Sequence, residues 1–286
     1  MKPDDAPLQP PGVSRADVTA LRGGVARTQS DWLADEVPVA LVFNGVSHAV
    51  MLATPADLED FALGFALTEG LLLSPDELHG TEVVAVDEGI ELHLDVASAC
   101  AWRLGARRRT LAGRTGCGLC GTEQLAQVQR VLPPVPAVPV AVSALTRAQR
   151  ELRQHQAVQQ LTGAAHATAW CALDGQVLLV REDIGRHNAL DKLIGAMVRA
   201  GLPAHEGFAC ITSRASFEMV QKAAAAGIGA LAAVSAPTKL AVDTAQRLGL
   251  ALAGFVRGDD AVAYTHPERF LLEAHPAHPA NSDHEP

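Results

Sequence analysis

From residue 143 onward, strand-length and helix-length apolar segments alternate, and few folds accommodate that rhythm. Short runs at Phe208–Thr212, Ala230–Ser235 and Leu250–Val256 are separated by helical patterns at Asn188–Ala200, Ser216–Ala226 and Thr238–Leu248. Gly201, Gly227 and Gly249 follow these helices where a left-handed C-cap is expected. A helix at about 143–161 precedes them, then a hairpin of Ala167–Leu173 and Gln176–Arg181 turned by Asp174-Gly175. The pattern predicts a layered α/β domain with parallel strands over residues 143–274.

The first half has a different texture. Val37–Phe43 and Val46–Leu52 flank Asn44-Gly45, a strong hairpin signal. Thr54, Pro55 and Asp57 read as the capped start of a helix whose apolar stripe includes Leu58, Phe61 and Phe65. Glu82–Val86 and Ile90–Val96 make a second hairpin, with strict alternation through Ile90, Leu92, Leu94 and Val96. The chain therefore reads as α/β, a smaller α+β N-terminal region preceding the layered C-terminal domain. Expected boundaries are a flexible lead-in at 1–20, the α+β region at 21–132, a proline-rich linker at 133–142 and a disordered tail at 275–286. A short helix is expected from Thr122 to about Val131.

Apolar residues make up 48% of the 286 positions and charged residues 19%, the balance of a globular protein. A formal charge of −9 argues against broad nucleic-acid binding. No apolar run is long enough to cross a membrane, and residues 1–18 lack the apolar centre of a secretory signal. Five cysteines, only two of them close together, suit a reducing cytoplasm rather than a disulfide framework.

Those two, Cys117 and Cys120, stand in Gly116-Cys117-Gly118-Leu119-Cys120-Gly121. Flanking glycines remove bulk around both sulfurs, so a second molecule can approach them. Three chemistries compete: metal binding, dithiol redox and sulfur relay. A structural zinc site needs four ligands, and neither a second CxxC nor an HxxxH accompanies this one. His93-Leu94-Asp95 is not the His-x-Glu of zinc deaminases, and Gly116 replaces their proline. No early βαβ unit surrounds the motif, as a thioredoxin-type dithiol would require. Cys100, Cys171 and Cys210 lie in or beside apolar stretches and read as core residues.

Polar residues of the second half gather where strands hand over to helices. The junctions are Glu182-Asp183-Ile184-Gly185-Arg186-His187-Asn188, Ser213-Arg214-Ala215-Ser216, Ser235-Ala236-Pro237-Thr238-Lys239 and Phe255-Val256-Arg257-Gly258-Asp259-Asp260. In a parallel sheet these ends share the ligand-binding edge, where helix N-termini favour anions. Arg186, Arg214, Lys239 and Arg257 add full positive charges, which points to a phosphorylated, nucleotide-like ligand. Ordinary helix capping accounts for any one junction alone.

Longer stretches carry a resemblance. Asp31-Trp32-Leu33, Glu36-Val37-Pro38, Thr54–Asp60, Cys117–Gly121, Arg181–Lys192, Ser213–Lys222, Ser235–Thr238 and Gly254–Arg257 together resemble the formate dehydrogenase accessory sulfurtransferases, the FdhD family, from about residue 25 to 272. Where that family often has Ser-Gly-Arg, this chain has Thr212-Ser213-Arg214. The resemblance implies a cytidine-deaminase-like second half without the deaminase zinc site, and a cytoplasmic homodimer with no metal site of its own. It implies a sulfur relay from a cysteine desulfurase, through a cysteine persulfide, to bis(molybdopterin guanine dinucleotide), the molybdenum cofactor of formate dehydrogenase. On that basis Cys117 is expected to carry the persulfide and Cys120 to assist. Cofactor contacts are expected at Phe255, Val256, Arg257, Gly258, Asp259 and Asp260, and at Asp183, Arg186, His187, Asn188, Ser213 and Arg214. A chaperone that holds the cofactor without carrying sulfur is the alternative.

Overall fold

The computed structural model describes residues 10–108 and 130–272, and the side chains of 105–108 are left out of account. Cys117, Cys120, Arg109, Arg114 and nearly all of the helix expected at 122–131 lie outside the described residues.

The chain opens with a ribbon of β1 (Val13–Arg22) and β2 (Val25–Ala34), paired residue for residue from Val13↔Ala34 to Arg22↔Val25. Residues 13–20, expected as a flexible lead-in, are therefore strand. Most of the ribbon is exposed on both faces, so it carries no alternating apolar pattern. Its base is held by Val13 against Val158 and Ala165, and by the Arg15 guanidinium 4.3 Å from the Trp32 ring.

A four-stranded sheet follows, ordered β4-β3-β6-β5 from β3 (Val37–Phe43), β4 (Val46–Ala53), β5 (Leu78–Val86) and β6 (Gly89–Val96). Both expected hairpins form, and Asn44-Gly45 turns the first with positive φ at both residues. Helix α1 (Leu58–Thr68) closes one face, where Phe61 and Phe65 join Leu41, Leu92 and Leu94. It starts three residues later than a Pro55 first turn would place it, with Asp57 at the N-cap in a left-handed conformation. Helix α2 (Ser98–Arg108) follows β6, with Cys100 and Leu104 buried in the same core.

Pro133–Pro139 does not behave as a free linker. Val135 and Val138 are buried, and the Val135 N–H donates to the Leu248 carbonyl at 2.9 Å. The short strand β7 (Val140–Ala141) then sets up α3 (Val142–Gln154). The single helix expected at 143–161 is broken, and α4 (Ala157–Thr162) starts afresh. Its cause is the Glu182 carboxylate, which accepts from the N–H groups of Val158 and Gln159, both at 2.9 Å.

The second half is a six-stranded mixed sheet, ordered β13-β12-β11-β10-β8-β9. Its strands are β8 (His166–Ala172), β9 (Val177–Asp183), β10 (Gly207–Ile211), β11 (Ala230–Ala233), β12 (Ala251–Arg257) and β13 (Asp260–Thr265). Strands β10, β11 and β12 are parallel; β8 runs antiparallel to β10, and β9 antiparallel to β8. So β9 points the same way as the central three, and the four polar junctions share one edge. Helices α5 (Arg186–Arg199), α6 (Phe217–Ala225) and α7 (Lys239–Leu248) cover one face, and α3 covers the other. A last strand, β14 (Phe270–Leu271), pairs with β7.

The two halves meet through α1 and α5, at backbone-to-backbone distance. A Cβ on Gly64 would lie 1.8 Å from the Asp191 carbonyl oxygen, and one on Gly195 would lie 1.9 Å from that of Asp60. Neither neighbour is a side chain that can turn aside. We expect Gly64→Ala to destabilise the protein by at least about 2 kcal/mol in urea unfolding, because the helices must separate.

Candidate functional site

Asp183, the last residue of β9, is the anchor of the edge. It is wholly buried, and its carboxylate takes four protein donors. Oδ1 accepts from the Gly185 N–H at 2.7 Å and Asn188 Nδ2 at 3.0 Å; Oδ2 accepts from the Thr54 N–H at 3.0 Å and pairs with Lys192 Nζ at 2.7 Å. Lys192, equally buried, also donates to the Thr54 carbonyl at 2.9 Å. Thr54 Oγ1 accepts from the Ile184 N–H, and Asn188 Nδ2 donates to the Leu52 carbonyl. Asp183 and Asn188, expected to touch a ligand, are thus spent on holding the 183–188 turn against the first half. Thr54, expected as a helix cap, is the first half's side of that clasp.

The turn carries Arg186 and His187 into the first turn of α5. Arg186 has no hydrogen bond or ion pair among the described residues, and its Nε is buried. His187 Nε2 lies 2.7 Å from Glu218 Oε2 on α6, in ion-pair range but off the ring N–H direction. Through this contact, and the charges of Lys222 and Arg186, the Glu218 carboxyl is held below its ordinary range despite burial. The pKa of His166, at the start of β8, is lowered as well, by burial first and then by the charges of Arg186 and His187, which favours its neutral form.

The second junction gives Ser213, buried with its Oγ donating to the Arg214 carbonyl, and Arg214, exposed and unpaired among the described residues. Ser216 follows as the N-cap of α6, yet its buried Oγ has no partner among the described residues. At the third junction Lys239 is already paired with Asp243. Of the four edge cations, Arg186 and Arg214 are thus the two with no ion-pair partner and no carbonyl to serve among the described residues.

The fourth junction is irregular. Strand β12 bulges between Gly254 and Arg257, and Phe255 adopts φ 50° with its ring 39% exposed. A bulky residue in the left-handed region is an outlier, and such strain concentrates at binding sites. Arg257 sits with its guanidinium 5.7 Å from the Phe255 ring and Nε donating to the Val234 carbonyl at 3.0 Å. Val256 is fully buried in the core instead, Asp259 pairs with Arg150, and the Gly258 carbonyl also accepts from Arg150. Asp260 begins β13, exposed.

A second buried network supports α5 from below. Lys222 Nζ pairs with Asp191 at 2.9 Å and Glu69 at 2.7 Å, and donates to Thr68 Oγ1 at 3.0 Å. Burial opposes its charge, but the two carboxylates hold its pKa above the usual lysine value. Arg130, the first described residue after Cys117 and Cys120, docks here, donating to the Thr68 carbonyl. Its N–H donates to Gln221 Oε1 at 2.8 Å. Sequence reasoning missed Lys192, Lys222 and Asp60, which pairs with Arg181 and Arg199, because nothing in a linear pattern distinguishes a buried charge from a solvated one, and it read Thr54 only as a cap. Cys171 and Cys210 are buried as expected, and burial raises the Cys210 thiol to about 12, so neither supplies thiolate.

Comparison with known proteins decides the lineage. The FdhD/NarQ family model matches residues 34–271. The chain belongs to the FdhD/NarQ family. A relative from Variovorax paradoxus, named sulfur carrier protein FdhD, is 60% identical over 94% of this chain and 97% of its own length. One of the same name from Xanthomonas campestris pv. campestris is 51% identical over 96% and 98%. A crystal structure of a Desulfotalea psychrophila protein, assigned as a formate dehydrogenase accessory protein, superposes with a TM-score of 0.71. It covers 91% of this chain and all of that one at 21% identity, which establishes the shared mixed α/β fold. Among the described residues no helix is long and apolar enough to cross a membrane.

In this FdhD/NarQ chain the clasp at Asp183 should dominate stability at the edge. Lys192→Met leaves the buried carboxylate without its counter-charge, and we expect a loss of about 3–5 kcal/mol in denaturant unfolding.

Proposed function

We propose that the chain is a sulfur carrier for formate dehydrogenase maturation. It takes sulfur from a cysteine desulfurase and passes it to the bis(molybdopterin guanine dinucleotide) molybdenum cofactor, acting in the cytoplasm as a homodimer. The observation that carries this reading is near-full-length identity to sulfur carrier proteins, together with a glycine-flanked pair of cysteines.

In the first step the Cys117 thiolate attacks the outer sulfur of the desulfurase persulfide. An S–S bond forms on Cys117, the desulfurase S–S bond breaks, and its thiolate leaves. Cys120, three positions on, assists or resolves. The basic residues before the motif favour a thiolate there. The sheet edge supports the second step. Arg186 and Arg214 offer guanidinium groups that are unpaired among the described residues and suited to the phosphates of a dinucleotide. Phe255, held exposed at positive φ beside Arg257, offers an aromatic face.

Intact-protein mass spectrometry after incubation with a cysteine desulfurase and cysteine tests the carrier role. The expected result is a gain of one sulfur, removed by reductant and absent from Cys117→Ala. A chain that gains none yet still activates formate dehydrogenase would be a cofactor chaperone.

A further inference from the structure

The ribbon of β1 and β2 stands out from the rest of the described chain. Its ten-residue strands extend roughly 33 Å, and beyond the base most of their residues are exposed. A two-stranded ribbon in water on both faces is marginally stable at best, and stays formed when a further surface packs on it. Register sorts its side chains. Arg22 is opposite Val25, Ala20 opposite Arg27 and Val18 opposite Gln29, and these alternate pairs share one face. Toward the tip that face is apolar and basic, with no carboxylate until Asp31, opposite Ala16 nearer the base. Arg22 and Arg27 are exposed and have no ion-pair partner among the described residues.

The same chain carries the complement. From Thr28 to Trp102 it has no lysine or arginine. Helix α1 covers the face of the β4-β3-β6-β5 sheet that holds Leu41, Leu92 and Leu94. Alternation turns Ala40, Glu91 and His93 to the other face, where Ala40 is opposite both Val50 and Glu91, and His93 is opposite Glu82. That face is apolar on its β4 side, where Val50 and Leu52 are 51% and 55% exposed, and acidic on its β5–β6 side. We propose that two copies of this chain exchange ribbons, the outer half of each lying across the open sheet face of the other. Arg22 and Arg27 meet Glu82 and Glu91, and Val18 and Val25 cover Val50 and Leu52. Each copy gives one ribbon and one face, so the exchange closes at a dimer about a two-fold axis. A net charge of −9 on each copy opposes association through its acidic surfaces, and the basic ribbon is the element that removes that repulsion. This deepens the homodimer reading above and rests on it: it says which surfaces meet.

Sedimentation velocity of the full chain over a concentration series tests it. The expected result is a reversible dimer whose Kd rises at least about ten-fold when Arg22→Glu and Arg27→Glu are made together. Glu82→Arg with Glu91→Arg should weaken it likewise. All four substitutions in one chain restore opposite charges across the contact, and should bring Kd back to within about three-fold of the wild type. That recovery also shows that the reversed chains fold. A wild type that stays monomeric at every concentration overturns the homodimer reading, and the exchange with it. A dimer indifferent to the ribbon reversals, or a loss that the sheet reversals do not restore, overturns the exchange alone.

Discussion

Everything at the candidate site depends on one buried ion pair. Asp183 and Lys192 are both fully excluded from water and 2.7 Å apart, and both also bind the backbone of Thr54. A lone buried charge is prohibitively costly, so each member exists only because the other and its hydrogen bonds are present. Thr54 of the first half completes the pair's hydrogen bonding when the two halves are seated together. Assembly of the two halves and formation of the 183–188 turn are therefore coupled. The glycines at 64 and 195 let α1 and α5 come close enough for it, and the Lys222 network and the Asp60 pairs with Arg181 and Arg199 reinforce the same seam.

That geometry separates residues that hold from residues that offer. The Asp183 carboxylate and the Asn188 amide nitrogen are committed to the clasp, and the Val256 side chain is committed to the core. Arg186, Arg214 and Phe255 are not so committed among the described residues, and each is delivered by a different strand to one edge of the sheet. Arg130 docks on the same seam, donating to the Thr68 carbonyl beside Lys222.

Much of this could be read in the sequence. The Asn44-Gly45 hairpin, the alternation in β6 and the three C-capping glycines all appear where local chemistry requires them, because turns and caps are decided by neighbours in the chain. The errors were of the opposite kind. Thr54 looked like a helix cap because Thr-Pro-Ala-Asp is a good one, but its partners lie about 130 positions away. The helix at 143–161 looked continuous because Glu182, which breaks it, belongs to another strand. The prolines at 133–139 looked solvated although Val135 and Val138 between them are core. Long-range partnership, not composition, assigns each of these.

The central claim is movement of sulfur from this chain to the cofactor, and a single-turnover label experiment addresses it. Protein charged with radioactive sulfur, freed of desulfurase and mixed with the reduced bis(molybdopterin guanine dinucleotide) molybdenum cofactor, whose metal supplies the two electrons that convert persulfide sulfur to sulfide, should lose its label to the cofactor and keep a cysteine thiolate. That transfer should fail in Arg186→Ala protein that still charges fully. Label that stays on the protein while formate dehydrogenase becomes active would contradict the account.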